Sequence, residues 1–235
     1  MELTFIGRGA AFNPKEGNTS AYFIENNELF LIDCGESIFS SLKNKEILDN
    51  VVSINLLITH THSDHIGSLG SLVMYAYYVR HIPFNIIIPK EAKYLENIKA
   101  ILFGFGCTND MYCFITEDDF DNKINSFDKV RYFETFHCDT LNCYSIVFYT
   151  NNGIVFYSGD TRETNTLDTI IKSNDLIDKI YMDTNISSKD TGHLGVDDLY
   201  DFIPKELVKK VYCMHLSSDE CMNKAIDYGF NIVNI

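Results

Sequence analysis

Proline is scarce, with four among 235 residues, and no Pro/Gly/Ser-rich tract, low-complexity segment or internal repeat interrupts the chain. Nothing marks a linker, and this length with 46% hydrophobic residues suits one large domain with a sizeable core, residues 1–235. Basic residues are also few, 19 against 33 acidic ones, for a formal net charge of -14. Such a surface repels a polyanion and argues against a long nucleic acid as partner, while a small anion can still enter a locally positive pocket. No run of about 18 apolar residues occurs, and no charged segment followed by an apolar stretch opens the chain. The expectation is a soluble, cytoplasmic protein with no membrane partner. The seven cysteines (Cys34, Cys107, Cys113, Cys138, Cys143, Cys213 and Cys221) include no C-x-x-C pair, which removes zinc ribbons and dithiol redox motifs. They read as reduced, packed thiols, although Cys34 and Cys138 flank motif residues and are candidates to support the site.

Histidine is also uncommon, but it is clustered. His60, His62, Asp64 and His65 follow directly on the apolar run 54–58. This H-x-H-x-D-H pattern sets four metal-ligand side chains within six residues, where a buried strand delivers its end into a loop; that arrangement holds ligands rigidly and leaves one face open. The plainer reading is a solvated His-rich turn, but such turns rarely recruit distant partners. Candidate partners stand at further strand-to-loop positions: His137 after 131–136, Asp160 after 154–159, and His215 after 211–214. Gly159 permits the sharp exit that Asp160 needs. His81, at the end of a predicted helix, is read as a helix C-terminal histidine.

Period-two patterning and turn residues predict strands over 2–6, 20–25, 28–33, 84–89, 143–150, 154–158, 179–183, 210–214 and 231–235, with hairpins at Asn26-Asn27 and Asn151-Asn152-Gly153. Helical periodicity covers 66–79, 91–103, 163–171, 196–202 and 219–228. Two halves, each β-rich and then β/α, predict an α/β protein built as an αββα sandwich with the site at one sheet edge. Asp33 and Glu36 are read either as carboxylates orienting metal-bound histidines or as helix N-caps. Tyr75, Tyr77 and Tyr78 offer base stacking, but an aromatic stripe at helical spacing is more often core or a homodimer contact. Phe105, between Gly104 and Gly106, marks a flap over a pocket or a plain turn. The acidic stretch 117–121 is read as a solvated face or a helix start. Gly7-x-Gly9, with no helix following, is weak evidence for a nucleotide phosphate.

The chain resembles the metallo-β-lactamase-fold hydrolases over essentially its whole length. H-x-H-x-D-H, His137, Asp160 and His215 occur in that family's order, and the opening 3–10 with Asp33-Cys34-Gly35-Glu36 is similar to the branch holding tRNase Z and small phosphodiesterases. The resemblance implies that His60, His62 and His137 hold one metal, that Asp64, His65 and His215 hold another, and that Asp160 bridges them. Zinc is the default for so nitrogen-rich a set of two divalent ions, and manganese the competitor. Where tRNase Z carries His-Glu-Ala-Thr, this chain has Met182-Asp183-Thr184-Asn185, keeping the charge on a shorter side chain.

Three functions compete. The first is a dinuclear metal phosphodiesterase acting on a small cyclic phosphate, most simply a 3′,5′-cyclic mononucleotide. Asp64 serves as ligand and proton acceptor, and His193, held by Asp183, as the acid. The short form is similar to bacterial cyclic-phosphate phosphodiesterases and to phage enzymes that degrade cyclic nucleotides, including cyclic CMP and cyclic UMP, against pyrimidine-cyclase immunity. The second is tRNA 3′ processing. It is opposed by the acidic balance and by an interval of only 22 residues between His137 and Asp160, where tRNase Z inserts its tRNA-gripping arm. The third is a metal-bound sensor without turnover, against which the apparent completeness of the ligand and acid positions argues.

Overall fold

The computed structural model describes residues 1–91, 93–120, 127–173, 175–189 and 191–235. In chain order the first half forms β1 (Thr4–Gly7), β2 (Ser20–Glu25), β3 (Glu28–Ile32), α1 (Ile38–Asn44), β4 (Ser53–Leu57), α2 (Ser63–Ile66), α3 (Leu69–Tyr75), β5 (Phe84–Ile88), α4 (Leu95–Gly104), β6 (Cys113–Thr116) and α5 (Glu117–Phe120). The second forms β7 (Lys129–Thr135), β8 (Cys143–Thr150), β9 (Gly153–Tyr157), α6 (Asn165–Lys172), β10 (Ile177–Asp183), α7 (Val196–Phe202), β11 (Val211–Met214), α8 (Asp219–Asp227) and β12 (Asn231–Ile232).

These strands make two six-stranded sheets, β1 to β6 and β7 to β12, each in sequence order across the sheet. Both follow one plan, two antiparallel pairings and then three parallel ones. The duplication lies in topology rather than in sequence. Alternation along the strands decides the layers. Ile146 and Phe148 of β8, with Val155 and Tyr157 of β9, face the first sheet, while Val147, Ile154 and Phe156 face α6, α7 and α8. Phe5 of β1 meets Tyr157 and Tyr181 across the sandwich, and Phe127 meets Phe148. All five residues of β4 are buried, as expected of a central parallel strand covered on both faces.

The two predicted hairpins form, by different means. Asn26 and Asn27 both take left-handed backbone (φ 51 and 62), as a two-residue I′ turn requires. In the second hairpin the positive φ belongs to Gly153 (116) alone. The predicted helix 66–79 breaks at Gly67-Ser68, where Ser68 Oγ donates to the Gly35 carbonyl and accepts from Phe39 N, and it ends in a π-turn, Ala76–Arg80. The acidic stretch does start a helix, but Glu117 is no solvated group. It is buried and accepts from the backbone N–H of Lys90 and Tyr132, tying the two halves together. Asp121 lies outside the described residues, as does Ala92 of the helix predicted over 91–103. Both α1 and β6 escaped the sequence reading, being short segments without a clean period.

Because β7 and β9 are each antiparallel to β8, they run in one direction, and β10 and β11 run with them. The ends of β7, β9, β10 and β11 therefore leave the second sheet at a single edge. His137, Asp160, Asp183 and His215 stand at or just beyond those ends. Tyr144 of β8 donates its backbone N–H to Thr59, next to His60, and so docks the end of β4 against this edge.

Candidate metal centre

Seven donors converge where the two sheets meet. His60 Nε2 lies 2.9 Å from His62 Nδ1, which is 3.2 Å from His137 Nε2. Asp160 Oδ2 is 3.8 Å from both His60 Nε2 and His137 Nε2. On the other side of Asp160, His65 Nε2 is 3.2 Å from Oδ1 and His215 Nε2 is 3.4 Å from Oδ2, with Asp64 Oδ2 at 3.4 and 3.3 Å from the same two nitrogens. Among the described residues three groups of four have their donor atoms within 4.8 Å of one another: His60, His62, His137 and Asp160; Asp64, His65, Asp160 and His215; and Asp160, Asp183, His193 and His215. The first two tetrads hold the seven donors, and Asp160 belongs to all three groups.

The partners behind the rings decide which nitrogen points inward. His65 Nδ1 meets Asp33 Oδ2 at 2.8 Å, while its buried Nε2 has no hydrogen-bond partner. His137 Nδ1 donates to the Gly192 carbonyl at 2.7 Å. His60 Nδ1 is 3.1 Å from Thr59 Oγ1, which itself donates to Asp33 at 2.7 Å. These contacts leave Nε2 of three rings as lone pairs aimed at one region, the usual outer support of a histidine metal ligand. The orphaned His65 Nε2 and the crowding of ring nitrogens without hydrogens to share fit a cation better than a hydrogen-bond network.

Electrostatics agrees. Burial, helped by the neighbouring His65, holds His60 well below its ordinary value, and burial lowers His62, so both are neutral, as ligands must be. Burial disfavours the Asp160 and Asp64 anions, but the surrounding histidines outweigh it and pull both carboxyls down. His65 and His215 are driven up, the latter to about 10, because Asp160 and the other carboxylates overcome the burial penalty. A proton on either ring occupies the place that a cation would take.

His193 stands beside the two tetrads. Its Nδ1 is 2.7 Å from Asp183 Oδ2, and its ring stacks on His215 with centroids 4.8 Å apart. Asp183 is fully buried; its Oδ2 also accepts from Thr161 N, and its Oδ1 lies 3.3 Å from His215 Nδ1 without hydrogen-bond geometry. Burial lowers the His193 pKa, but Asp183 more than reverses this, so the ring keeps its proton to a higher pH than a free histidine. A cleft of about 710 Å³ opens over the centre, lined by His62, Asp64, His137, Asp160, His193 and His215 among others.

Over residues 1–233 the sequence matches the family described as anti-Pycsar protein Apyc1. The chain belongs to this family. A member from Bacillus phage BSP38 is 27% identical over 239 residues, covering 91% of this chain and 88% of the relative. A ribonuclease Z from Methanococcus maripaludis strain C6 is 40% identical over 101 residues, a stretch that spans 42% of this chain and only 32% of that enzyme. The metallo-β-lactamase-fold protein YhfI from Bacillus subtilis superposes with a TM-score of 0.73 at 16% identity, covering 98% of this chain and 94% of its own. The αββα sandwich is thus the metallo-β-lactamase fold.

Of the residues singled out from the sequence of this Apyc1-family chain, Asp33 turns to His65 and caps no helix, whereas Glu36 is exposed at the cleft mouth with no hydrogen bond to a histidine. Cys34 pairs with Ser68 and is simple packing, while Cys138 lines the cleft. The aromatic candidates are displaced: Tyr75 packs on Phe39 and Lys43, Tyr77 bonds Asp110, Tyr78 borders a separate cavity, and Phe105 lies against Gly70. None of the four lines the cleft. Sequence reasoning missed Thr59, Gly192 and the cleft-lining Phe12, Phe136 and Arg162. A Cβ at residue 192 would come within 2.6 Å of His137 Nδ1, so only glycine allows that carbonyl to reach the ring. Its place beside His193 was the one available signal.

Proposed function

We propose that the protein is a dinuclear metal phosphodiesterase that hydrolyses 3′,5′-cyclic mononucleotides, cyclic CMP and cyclic UMP among them, to linear monophosphates. The observation that carries this reading is the pair of tetrads sharing Asp160 beneath a cleft of about 710 Å³, with the His193–Asp183 pair at its side. That volume suits a small ligand. His60, His62 and His137 would hold one ion and Asp64, His65 and His215 the other, with Asp160 within reach of both. Zinc is proposed first for its match to nitrogen donors, with manganese second. Two such ions supply hydroxide at neutral pH and neutralise the phosphodiester. Asp64 takes the proton that the attacking water gives up. As the phosphorus–oxygen bond to the sugar breaks, His193 delivers its proton to the departing oxygen, and Asp183 holds the ring in place and compensates its charge.

Processing of tRNA is the second reading, favoured by the stretch shared with ribonuclease Z. Against it, the interval between His137 and Asp160 is filled by β8 and β9, leaving no arm to grip tRNA, and the net charge of -14 opposes extended phosphate contacts. The test is to incubate the metal-loaded protein with each of the four cyclic nucleotides, cyclic ribose phosphates and pre-tRNA, and to resolve the products. Linear monophosphates are expected. Cleaved tRNA beside intact cyclic nucleotides would reverse the order of the two readings, and full metal occupancy without turnover of any substrate would favour a sensor. A homodimer is also proposed, through the exposed Tyr78 and Val79 of the π-turn. Light scattering that returns a monomer mass would remove it.

A further inference from the structure

Phe12 is 99% exposed, yet it lines the cleft over the metal centre. A side chain that buries nothing adds nothing to the fold, so a packing role does not explain it. Its loop is nonetheless firmly held. Ala10 N and Asn13 Nδ2 both donate to the Leu216 carbonyl, Asn13 N donates to Ala10, Arg8 pairs with Glu16 at 2.6 Å, and Thr19 Oγ1 donates to Gly9. The anchor, Leu216, directly follows His215. The loop therefore seats the backbone that carries Phe12 against the residue after His215, and the ring lines the same cleft as that histidine.

A second flat group flanks the centre from another element. Phe136 directly precedes His137, and the Arg162 guanidinium lies over its ring, 4.2 Å from the centroid, with the Arg162 N–H donating to the Phe136 carbonyl. Both residues line the same cleft. Among its described lining residues Arg162 is the only lysine or arginine, against Glu36, Asp64, Asp139 and Asp160, and among the described residues no ion pair includes it. A guanidinium held over an aromatic ring can keep its N–H edge available to a ligand.

We propose that Phe12 and the Phe136-backed Arg162 form the subsite for the substrate's nucleobase, which stacks on these flat groups while the phosphodiester sits on the metal centre. This deepens the function proposed above and rests on it. Stacking on an aromatic ring accepts any base, because every base has a π-face, and the Arg162 edge adds a donor for a ring carbonyl oxygen. The subsite thus predicts activity across purine and pyrimidine cyclic nucleotides, with a mild preference for bases that carry a carbonyl.

The test compares a 3′,5′-cyclic nucleotide with its abasic counterpart, hydrogen replacing the base, on the metal-loaded full chain. In the unaltered protein the cyclic nucleotide should have the lower KM. Phe12→Ala should shrink that preference about 5- to 150-fold, the range expected for one stacked base, with unchanged metal content and melting temperature. Arg162→Gln should act in the same direction, more on cyclic UMP than on cyclic AMP. An unchanged preference in both variants, or an equal loss on both substrates, would overturn the subsite while leaving the phosphodiesterase reading intact. A Phe12→Ala protein that changes oligomeric state would make Phe12 a contact between copies instead. Cyclic nucleotides left untouched by the unaltered protein while the abasic ester is cleaved would overturn both.

Discussion

Asp33 never reaches the cleft, so its replacement tests whether the residues behind the histidines set metal affinity. Its Oδ1 accepts from Thr59 N at 2.8 Å, and its Oδ2 accepts from Thr59 Oγ1 at 2.7 Å and faces His65 Nδ1 at 2.8 Å. In Asp33→Asn one oxygen can still serve Thr59 N, but an NH2 group then faces His65 Nδ1. The ring must move its own hydrogen to Nε2, the atom now aimed between Asp64 and Asp160. Binding a cation there requires reversing that tautomer against a lost charge-assisted hydrogen bond, about 1.5–3 kcal/mol. This matches the 10- to 100-fold loss of metal affinity that is usual for such outer partners, about 1.4–2.7 kcal/mol. Backbone strain does not confuse the result, since residue 33 has φ 61 and asparagine tolerates left-handed backbone well. The assay is competition with a calibrated chelator, followed for both ions, with turnover measured at saturating metal. One of the two sites should weaken 10- to 100-fold, and turnover should recover as metal is raised. Unchanged affinity at both sites in a folded Asp33→Asn protein would refute the reasoning.

His193→Ala should keep both ions and lose about 10²- to 10⁴-fold in rate on alkyl phosphodiesters, with a much smaller loss on nitrophenyl esters, whose leaving group needs no proton; equal losses would count against the acid role. Asp160→Ala should lower metal content at both sites by elemental analysis, and full retention of two ions would discard the bridging assignment. Gly192→Ala should push the His137 ring away, since the new methyl would lie 2.6 Å from Nδ1, and the loss should appear as weaker metal retention on dialysis. Burial pushes the Cys34, Cys143 and Cys213 thiols up to about 12 and Cys221 to about 11, so alkylation of the native protein at pH 8 should label Cys113 and Cys138 first, as read by mass spectrometry.

The sequence by itself determined the parts whose signals are local. Alternation over 143–150 and 154–158, the Asn26-Asn27 turn, and the histidines placed where apolar runs end all follow from backbone geometry within a few residues. The elements therefore stood nearly where the pattern put them, and the seven donors could be named before their distances were known. Tertiary structure decided what depends on the order of strands across the sheets. Asp33 and Glu36 are equivalent as text, yet only Asp33 sits beside Thr59 and His65, because β3 and β4 are neighbours in register. The tyrosines 75, 77 and 78 and Phe105 read as stacking candidates, but α3, the π-turn after it and the end of α4 place them outside the cleft over the site. Phe12, Phe136 and Arg162 had no motif to announce them. Phe136 precedes His137 in the chain, but the seating of Arg162 over its ring, and of the Phe12 loop on Leu216 through Asn13, 203 positions away, is made only by the closed sandwich.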